Sequence, residues 1–336
     1  MRARSLSITG LMIVVTLGIS RCKTGESFYT NVLRSDVFVQ QYESRKYDFL
    51  WLMDNSGSMA SRRAYVRDNL QRFVNVLNSR KAVDYQMAVT TLDMFTTAGN
   101  LITNTSGLDV VKSASSANPV ADMASVINNI QDTPTSFWEQ GLESAYQAIY
   151  NHKARFARTG VPLAVIFLTD AQDYSCMDQC WGVEPENNAS WVPFPIQRYI
   201  DYFQNVKASE NTETLLFGIE ATTDSNCALE SVSARYQSVV DAQGGVSHTG
   251  SLCMDKIQRS FDGIARTLAD RGVKFTLTTP ASVDGINVFV DGRSIAYSED
   301  NGWIFEAADN AVIFTGSAIP PNGSVVEVTY SQNQGN

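Results

Sequence analysis

At 336 residues the chain has room for one large domain and a smaller one, and a composition of 44% hydrophobic and 18% charged residues argues against a disordered or membrane-embedded protein. The formal charge of -9, from 26 Lys and Arg against 35 Asp and Glu, argues against a nucleic-acid surface, because phosphate binding depends on concentrated Lys and Arg. An acidic surface suits cations or basic partners.

The N-terminus carries an export signal. Arg2 and Arg4 precede an apolar stretch over residues 6–19, the charged and hydrophobic regions of a secretory leader, too short to span a bilayer comfortably. The stretch ends in Leu17-Gly18-Ile19-Ser20-Arg21-Cys22, which resembles a bacterial lipobox. That resemblance implies a signal peptide over 1–21, lipidation of Cys22, and anchoring to the membrane without a span. Arg21 stands where such motifs usually have a small residue, so cleavage without lipidation is the alternative. Lys23 after the cysteine, by analogy with enterobacterial sorting, favours an outer-membrane lipoprotein of the bacterial cell envelope, on its periplasmic or surface face.

Residues 22–46 read as anchor and linker, with one strand-like segment at Asp36-Val37-Phe38-Val39-Gln40. The rhythm then changes. Phe49-Leu50-Trp51-Leu52-Met53 is an unbroken apolar run, as expected of a strand covered on both faces, and further runs follow at 161–168 and 215–219. Residues 85–91 also read as a strand. Helical spacing appears at Tyr65-Val66, Leu70, Phe73-Val74 and Leu77, again at Leu142, Ala145-Tyr146 and Ile149, and in a closing helix over 257–268. Strands alternating with helices predict an α/β domain over 47–272 with a doubly wound, mainly parallel sheet.

Beyond Gly272 the period becomes that of strands. Segments at 274–277, 286–290, 303–305, 312–314 and 325–330 are separated by Asp291-Gly292, Asn301-Gly302 and Pro320-Pro321-Asn322-Gly323. Residues 273–336 are expected to form a small antiparallel β domain, sandwich-like, packed on the first because its own core is marginal. The segment at 37–39 is expected to lend it a strand.

Besides Cys22 there are four cysteines, Cys176, Cys180, Cys227 and Cys253. In an oxidising compartment disulfides are the better default, and the preferred pairing is Cys176 with Cys180 and Cys227 with Cys253. Four thiolates binding zinc is the lesser reading, since no Cys-x-x-Cys knuckle occurs.

Two polar motifs sit where apolar strands stop. Asp54 ends the first run, and Asp170, in Leu168-Thr169-Asp170, ends the run at 161–168. Ligands of open α/β sheets collect at the carboxyl ends of strands, so the two carboxylates are expected to face one crevice. Ser56 and Ser58 follow Asp54 at alternate positions around Gly57. Carboxylates and hydroxyls together make an all-oxygen set for a hard cation, Mg²⁺ before Mn²⁺ or Ca²⁺, that retains open positions. Helix capping by Asp54, Ser56 and Ser58 is the structural alternative.

The segment Asp54-Asn55-Ser56-Gly57-Ser58 resembles the metal-ion-dependent adhesion site of von Willebrand factor A domains, and Leu168-Thr169-Asp170 is similar to that family's second acidic motif. The family also supplies a Thr or Ser shortly before a helix. In Thr135-Ser136-Phe137-Trp138-Glu139-Gln140-Gly141-Leu142 this is Ser136, with Thr135 the alternative. The resemblance implies metal ligands Asp54, Ser56, Ser58, Ser136 and Asp170, no catalytic residues, and a protein partner whose carboxylate completes the metal's shell. Nucleic acid is not an expected partner, and the membrane enters only through the lipid anchor.

Asp93, Asp173 and Asp178 read as solvated turn residues on the rim. Of Trp138, Trp181 and Trp191, the last two would anchor a partner if exposed on the metal face, and if buried they cover the sheet. The chain holds two histidines, His152 and His248, for which packing or surface roles are expected. It shows no Gly-x-Ser-x-Gly elbow, no His-Glu-x-x-His and no phosphate-cradling loop. An envelope assembly subunit and, less strongly, a metal-assisted hydrolase are the rival functions.

Overall fold

The computed structural model of the chain describes residues 33–40, 45–132, 138–176, 192–221, 232–244 and 247–332. It opens on a short strand, β1 (Leu33–Val39), that belongs to the C-terminal unit. Next comes β2 (Lys46–Met53), buried along all but its first residue. A strand that must face apolar helices on both sides has no polar positions to spare, which is why its sequence does not alternate. Tyr47, Phe49, Trp51 and Met53 enter one core cluster, and Leu50 and Leu52 enter the other.

The elements that follow are α1 (Ala60–Asp68), α2 (Leu70–Leu77), β3 (Asp84–Thr91), β4 (Val110–Lys112), α3 (Pro119–Asn128), α4 (Gly141–Phe156), β5 (Leu163–Thr169), α5 (Ile196–Asn205), β6 (Thr214–Glu220), α6 (Ala234–Gln243), β7 (His248–Ser251) and α7 (Ile257–Asp270). The strands form a six-stranded sheet in the order β4-β3-β2-β5-β6-β7, parallel except for the antiparallel edge strand β4. Side chains of α1, α2, α3 and α7 cover one face, and those of α4, α5 and α6 the other. The doubly wound α/β fold is therefore as expected. Side chains such as Trp51 and Phe73 are wholly buried between the layers, where each contributes roughly 1.5–3 kcal/mol.

One pattern divides. The spacing from Tyr65 to Leu77 reads as a single helix, yet the chain breaks at Asn69 (φ -108°, ψ 9°) into α1 and α2. The Asn69 amide nitrogen donates to the Tyr65 carbonyl at 2.8 Å, a local bond that competes with the helical ladder.

The C-terminal residues add β8 (Lys274–Thr276), β9 (Asn287–Val290), β10 (Arg293–Ile295), β11 (Trp303–Glu306), β12 (Ala311–Phe314) and β13 (Val325–Ser331). They make two antiparallel sheets, β1-β13-β9-β10 and β11-β12-β8, which share one apolar cluster that includes Phe275, Val288, Trp303, Val312, Phe314 and Val328. The β9–β10 turn is the two-residue kind: Asp291 and Gly292 both take positive φ (47° and 76°), which matches the twist of the strands they join. As expected, the segment before the α/β domain lends a strand, with β1 paired to β13 from Leu33↔Ser331 to Val39↔Val325.

The two units meet at the amino ends of the parallel strands. The Gly316 N–H donates to the Arg80 carbonyl at 3.3 Å, and the Gln40 amide bonds the carbonyls of Gly272 and Pro320. Among the described residues no helix is long and apolar enough to cross a membrane.

Candidate metal site

Parallel pairing places the two acidic loops side by side. Met53 is in register with Leu168, and the Asp54 N–H donates to the Leu168 carbonyl at 3.0 Å, so Asp54 and Asp170 emerge from adjacent strands at the carboxyl edge of the sheet. Asp54 is wholly buried and Asp170 is 2% exposed. Asp54 Oδ1 accepts the Ser56 N–H at 2.8 Å, and Oδ2 accepts the Thr169 hydroxyl at 2.7 Å. The Ser56 and Ser58 hydroxyls lie 3.0 Å apart, and Ser58 Oγ donates to Asp170 Oδ1 at 3.2 Å. The donors grade from buried carboxylates to the exposed Ser58 hydroxyl.

Capping does not account for this loop. Ser56 precedes a short 3-10 turn (Gly57–Met59) without a side-chain cap bond, and Met59, at the cap of α1, has none either. The serine hydroxyls are turned to each other and to Asp170 instead.

Thr135 and Ser136 lie outside the described residues, but the chain on either side of them is held at the same crevice. Asn55 Nδ2 donates to the Gln131 carbonyl at 3.0 Å, and Arg63 pairs with Asp132. On the far side the Gln140 N–H donates to the Leu92 carbonyl at 2.9 Å, and the Glu139 carbonyl accepts the Tyr174 N–H at 2.7 Å. Gly141 then starts α4 with its N–H on the Tyr236 hydroxyl at 3.0 Å, and a Cβ at this position would collide with that hydroxyl.

The chemistry of the donor set fits a hard cation: carboxylate and hydroxyl oxygens, with no nitrogen or sulfur among them. Among the described residues no three His, Cys, Asp or Glu side chains cluster as a metal cage. Any cation held here would thus depend on the serine hydroxyls as well as on Asp54 and Asp170.

Beneath the crevice lies a sealed network. Asp173, expected on the rim, is wholly buried: it accepts the Leu142 N–H at 3.1 Å, the Ser175 hydroxyl at 2.7 Å and Arg235 Nε at 3.0 Å. Burial raises its pKa against the pull of Arg235 and these hydrogen bonds. Next to it, Glu143 pairs with Arg198 at 2.5 Å and accepts the Tyr199 hydroxyl at 2.8 Å. Asp93 is also buried, because its carboxylate caps the turn that follows it, accepting the Phe95 N–H at 2.7 Å and the Thr96 N–H at 3.1 Å.

Other candidates take supporting places. Trp138 is half-buried with its ring edge-on to Tyr174 at 4.9 Å. His152 hydrogen-bonds Asn100 at 3.1 Å, and His248 packs edge-on against Phe217 at 5.3 Å. Cys176 and Cys253 are each disulfide-bonded. Cys22, Asp178, Cys180, Trp181, Trp191 and Cys227 lie outside the described residues. Thr169, Arg62 and Arg63 touch the site without having been anticipated; the signal for Arg62 was its place one helical turn after Ser58. A cleft of about 580 Å³ at the opposite end of the sheet is lined by Glu213, Arg266, Asp270, Arg271, Lys274 and Asp309, but its charges largely pair, Lys274 with Asp309, Arg271 with Glu213, and Asp270 with Arg80 outside the lining.

The family model for the von Willebrand factor type A domain matches residues 48–231. Curated protein sequences give no match. Similar solved structures include the pilus adhesin SpaC from Lactobacillus rhamnosus GG (12% identity, TM-score 0.43, covering 91% of this chain and 41% of that one). A von Willebrand factor type A protein from Catenulispora acidiphila gives 11% identity, TM-score 0.42, and coverage of 93% and 68%. The pilus adhesin RrgA from Streptococcus pneumoniae gives 9% identity, TM-score 0.37, and coverage of 90% and 58%. The chain spans about two fifths of the SpaC adhesin's length.

Proposed function

Because this chain belongs to the von Willebrand factor type A domain family, we propose that it is an exported, metal-dependent ligand-binding protein rather than an enzyme. Asp54, Ser56, Ser58 and Asp170, with Ser136 or Thr135 from the neighbouring loop, would hold Mg²⁺ or Mn²⁺, or else Ca²⁺. When bound, such a cation supplies an open coordination position that a carboxylate oxygen of a protein partner can fill. The observation that carries this reading is the Ser56–Ser58–Asp170 chain of oxygens, 3.0 and 3.2 Å apart, beside the buried Asp54 carboxylate.

The chain's own groups prepare the site. Thr169 and the Ser56 N–H orient Asp54, and Arg63 clamps the carbonyls of Asp54 and Ser56 at 2.6 and 2.9 Å, so the chain's own bonds fix the shape of the loop. Adhesion at the cell surface is the role we assign, with anchoring through a lipid on Cys22, location at the outer membrane, and disulfides Cys176–Cys180 and Cys227–Cys253. We take the α/β domain to run over 47–272 and the β unit over 273–336.

The experiment is thermal unfolding with and without divalent metal. Mg²⁺ or Mn²⁺ at 100 times its Kd is expected to stabilise the chain by about 2.7 kcal/mol, reversed by chelator and absent in Asp54→Ala. A wild-type chain indifferent to both metals would sink the reading. Metal-dependent capture of cell-surface material would separate adhesion from envelope assembly, and Asp54-dependent turnover of a peptide or phosphoester would turn the conclusion toward hydrolysis.

A further inference from the structure

Two consecutive arginines follow the first site loop, and they do different things. Arg63 is fully engaged with the Asp54 and Ser56 carbonyls and with Asp132. Arg62, one turn after Ser58, donates Nη1 to the Ser58 carbonyl at 2.9 Å and brings that nitrogen to 3.6 Å from Asp170 Oδ2, beyond hydrogen-bond reach. Its side chain is only 12% exposed, and its Nε is buried with no hydrogen-bond partner. A guanidinium offers five donors in a planar fork that fits a carboxylate. Here that fork stands against a carboxylate it does not grip, one inner donor idle, at the edge of the crevice.

We propose that Arg62 determines the ligand specificity of the site: it balances Asp170 while no cation is present, and pairs with the partner's carboxylate once Asp170 has turned to a cation. The inference rests on the metal reading above. Asp54 and Asp170 bring two negative charges into one crevice, and the guanidinium beside Asp170 offsets one of them. Arg62 therefore competes with any other cation for that carboxylate. Once it has given Asp170 up, the fork remains tethered to α1 within a side chain's length of the crevice. Its paired donors favour a planar anion over a neutral amide, which lysine, a point charge on a flexible stem, does not reproduce.

The test is calorimetric titration of the full chain with Mn²⁺ alone. At saturating Mn²⁺ it is repeated with the peptide Ac-Gly-Asp-Gly-NH₂ and its asparagine counterpart, with binding followed by NMR. Arg62→Gln is expected to bind Mn²⁺ about tenfold more tightly than wild type, as removal of a like charge a few ångströms away requires. It should also lose the aspartate-over-asparagine preference that the wild type shows. Arg62→Lys should keep wild-type Mn²⁺ affinity to within about threefold and lose most of the preference. Thermal unfolding in chelator, with both variants within about 3 °C of wild type, would show that the fold is intact.

Unchanged or weaker Mn²⁺ binding by Arg62→Gln overturns the proposal. So does retained aspartate preference in that variant, or its absence from the wild type. Absence of Mn²⁺ binding from wild type and Arg62→Gln alike removes the metal reading itself, whereas Mn²⁺ binding by both at equal affinity removes the role of Arg62 alone.

Discussion

Asp170 and Asp173 lie three residues apart on one loop and both are buried, yet they differ in how their partners hold them. Asp170 opens on the crevice, accepting the exposed Ser58 hydroxyl and standing 3.6 Å from a guanidinium at the edge. Asp173 is sealed under α4, its charge met by Arg235 and by donors from Leu142 and Ser175. The first is placed so that its partner can be exchanged, the second so that it cannot. The difference lies in how much each loses when its partner goes. Asp173 has an ion pair at hydrogen-bond distance to lose, whereas the guanidinium beside Asp170 stands beyond hydrogen-bond reach.

The largest effect expected from this contrast is Asp173→Ala. It leaves Arg235 without its buried partner and should cost about 3–5 kcal/mol in urea unfolding. Asp170→Ala, which breaks no hydrogen bond to its guanidinium, should cost less than Asp173→Ala by about 1 kcal/mol or more. Equal losses for the two would break the distinction.

Glu220 sharpens it from another side. At the end of β6 it is wholly buried with neither carboxyl oxygen hydrogen-bonded, and burial, helped by Asp241, pushes its pKa well above the ordinary glutamate value. Below that ordinary value the folded and unfolded chains both hold the proton, and Glu220 costs no ionisation. As pH rises the unfolded chain releases its proton while the folded one retains it, so stability falls until the raised value is passed. Glu220→Met is therefore expected to gain about 1–3 kcal/mol at pH 7, and distinctly less at pH 4, by urea unfolding at the two values. A gain that does not vary with pH would mean that the folded chain ionises Glu220.

The smallest effect belongs to Asp36 on β1, which accepts the Thr278 N–H and hydroxyl at 2.7 Å each and the Tyr330 hydroxyl at 2.9 Å. Partial burial pushes its pKa up, but these hydrogen bonds prevail and hold it below the ordinary aspartate value. Its contribution is thus present at neutral pH and lost as pH falls through that lowered value. Asp36→Ala should cost about 1 kcal/mol and speed amide exchange along β1, while exchange along β2 and β5 stays unchanged.

How much of this was legible in the sequence follows from what each part depends on. β2, β5 and β6 were readable because a strand buried on both faces writes an unbroken apolar run. β7, His248-Thr249-Gly250-Ser251, is only half-buried at the sheet edge and carries no such signature, and β4 is three residues long. The Asp54–Ser58 loop was readable because its donors are neighbours in sequence. Asp173 was not, since its burial depends on Arg235, 62 positions away, and the role of Arg62 emerges only when β2 and β5 are laid side by side.

The pairing of β1 with β13 joins residues almost 300 positions apart, and this sets an order in time. A chain that emerges N-terminus first exposes β1 long before its partner exists, and its unpaired edge waits through the release of the whole α/β domain. The second unit therefore cannot close until its last strand is present. The final strand to appear is the one that pairs the first, and a chain cut short before Val325 would leave β1 without its partner and one edge of β9 open.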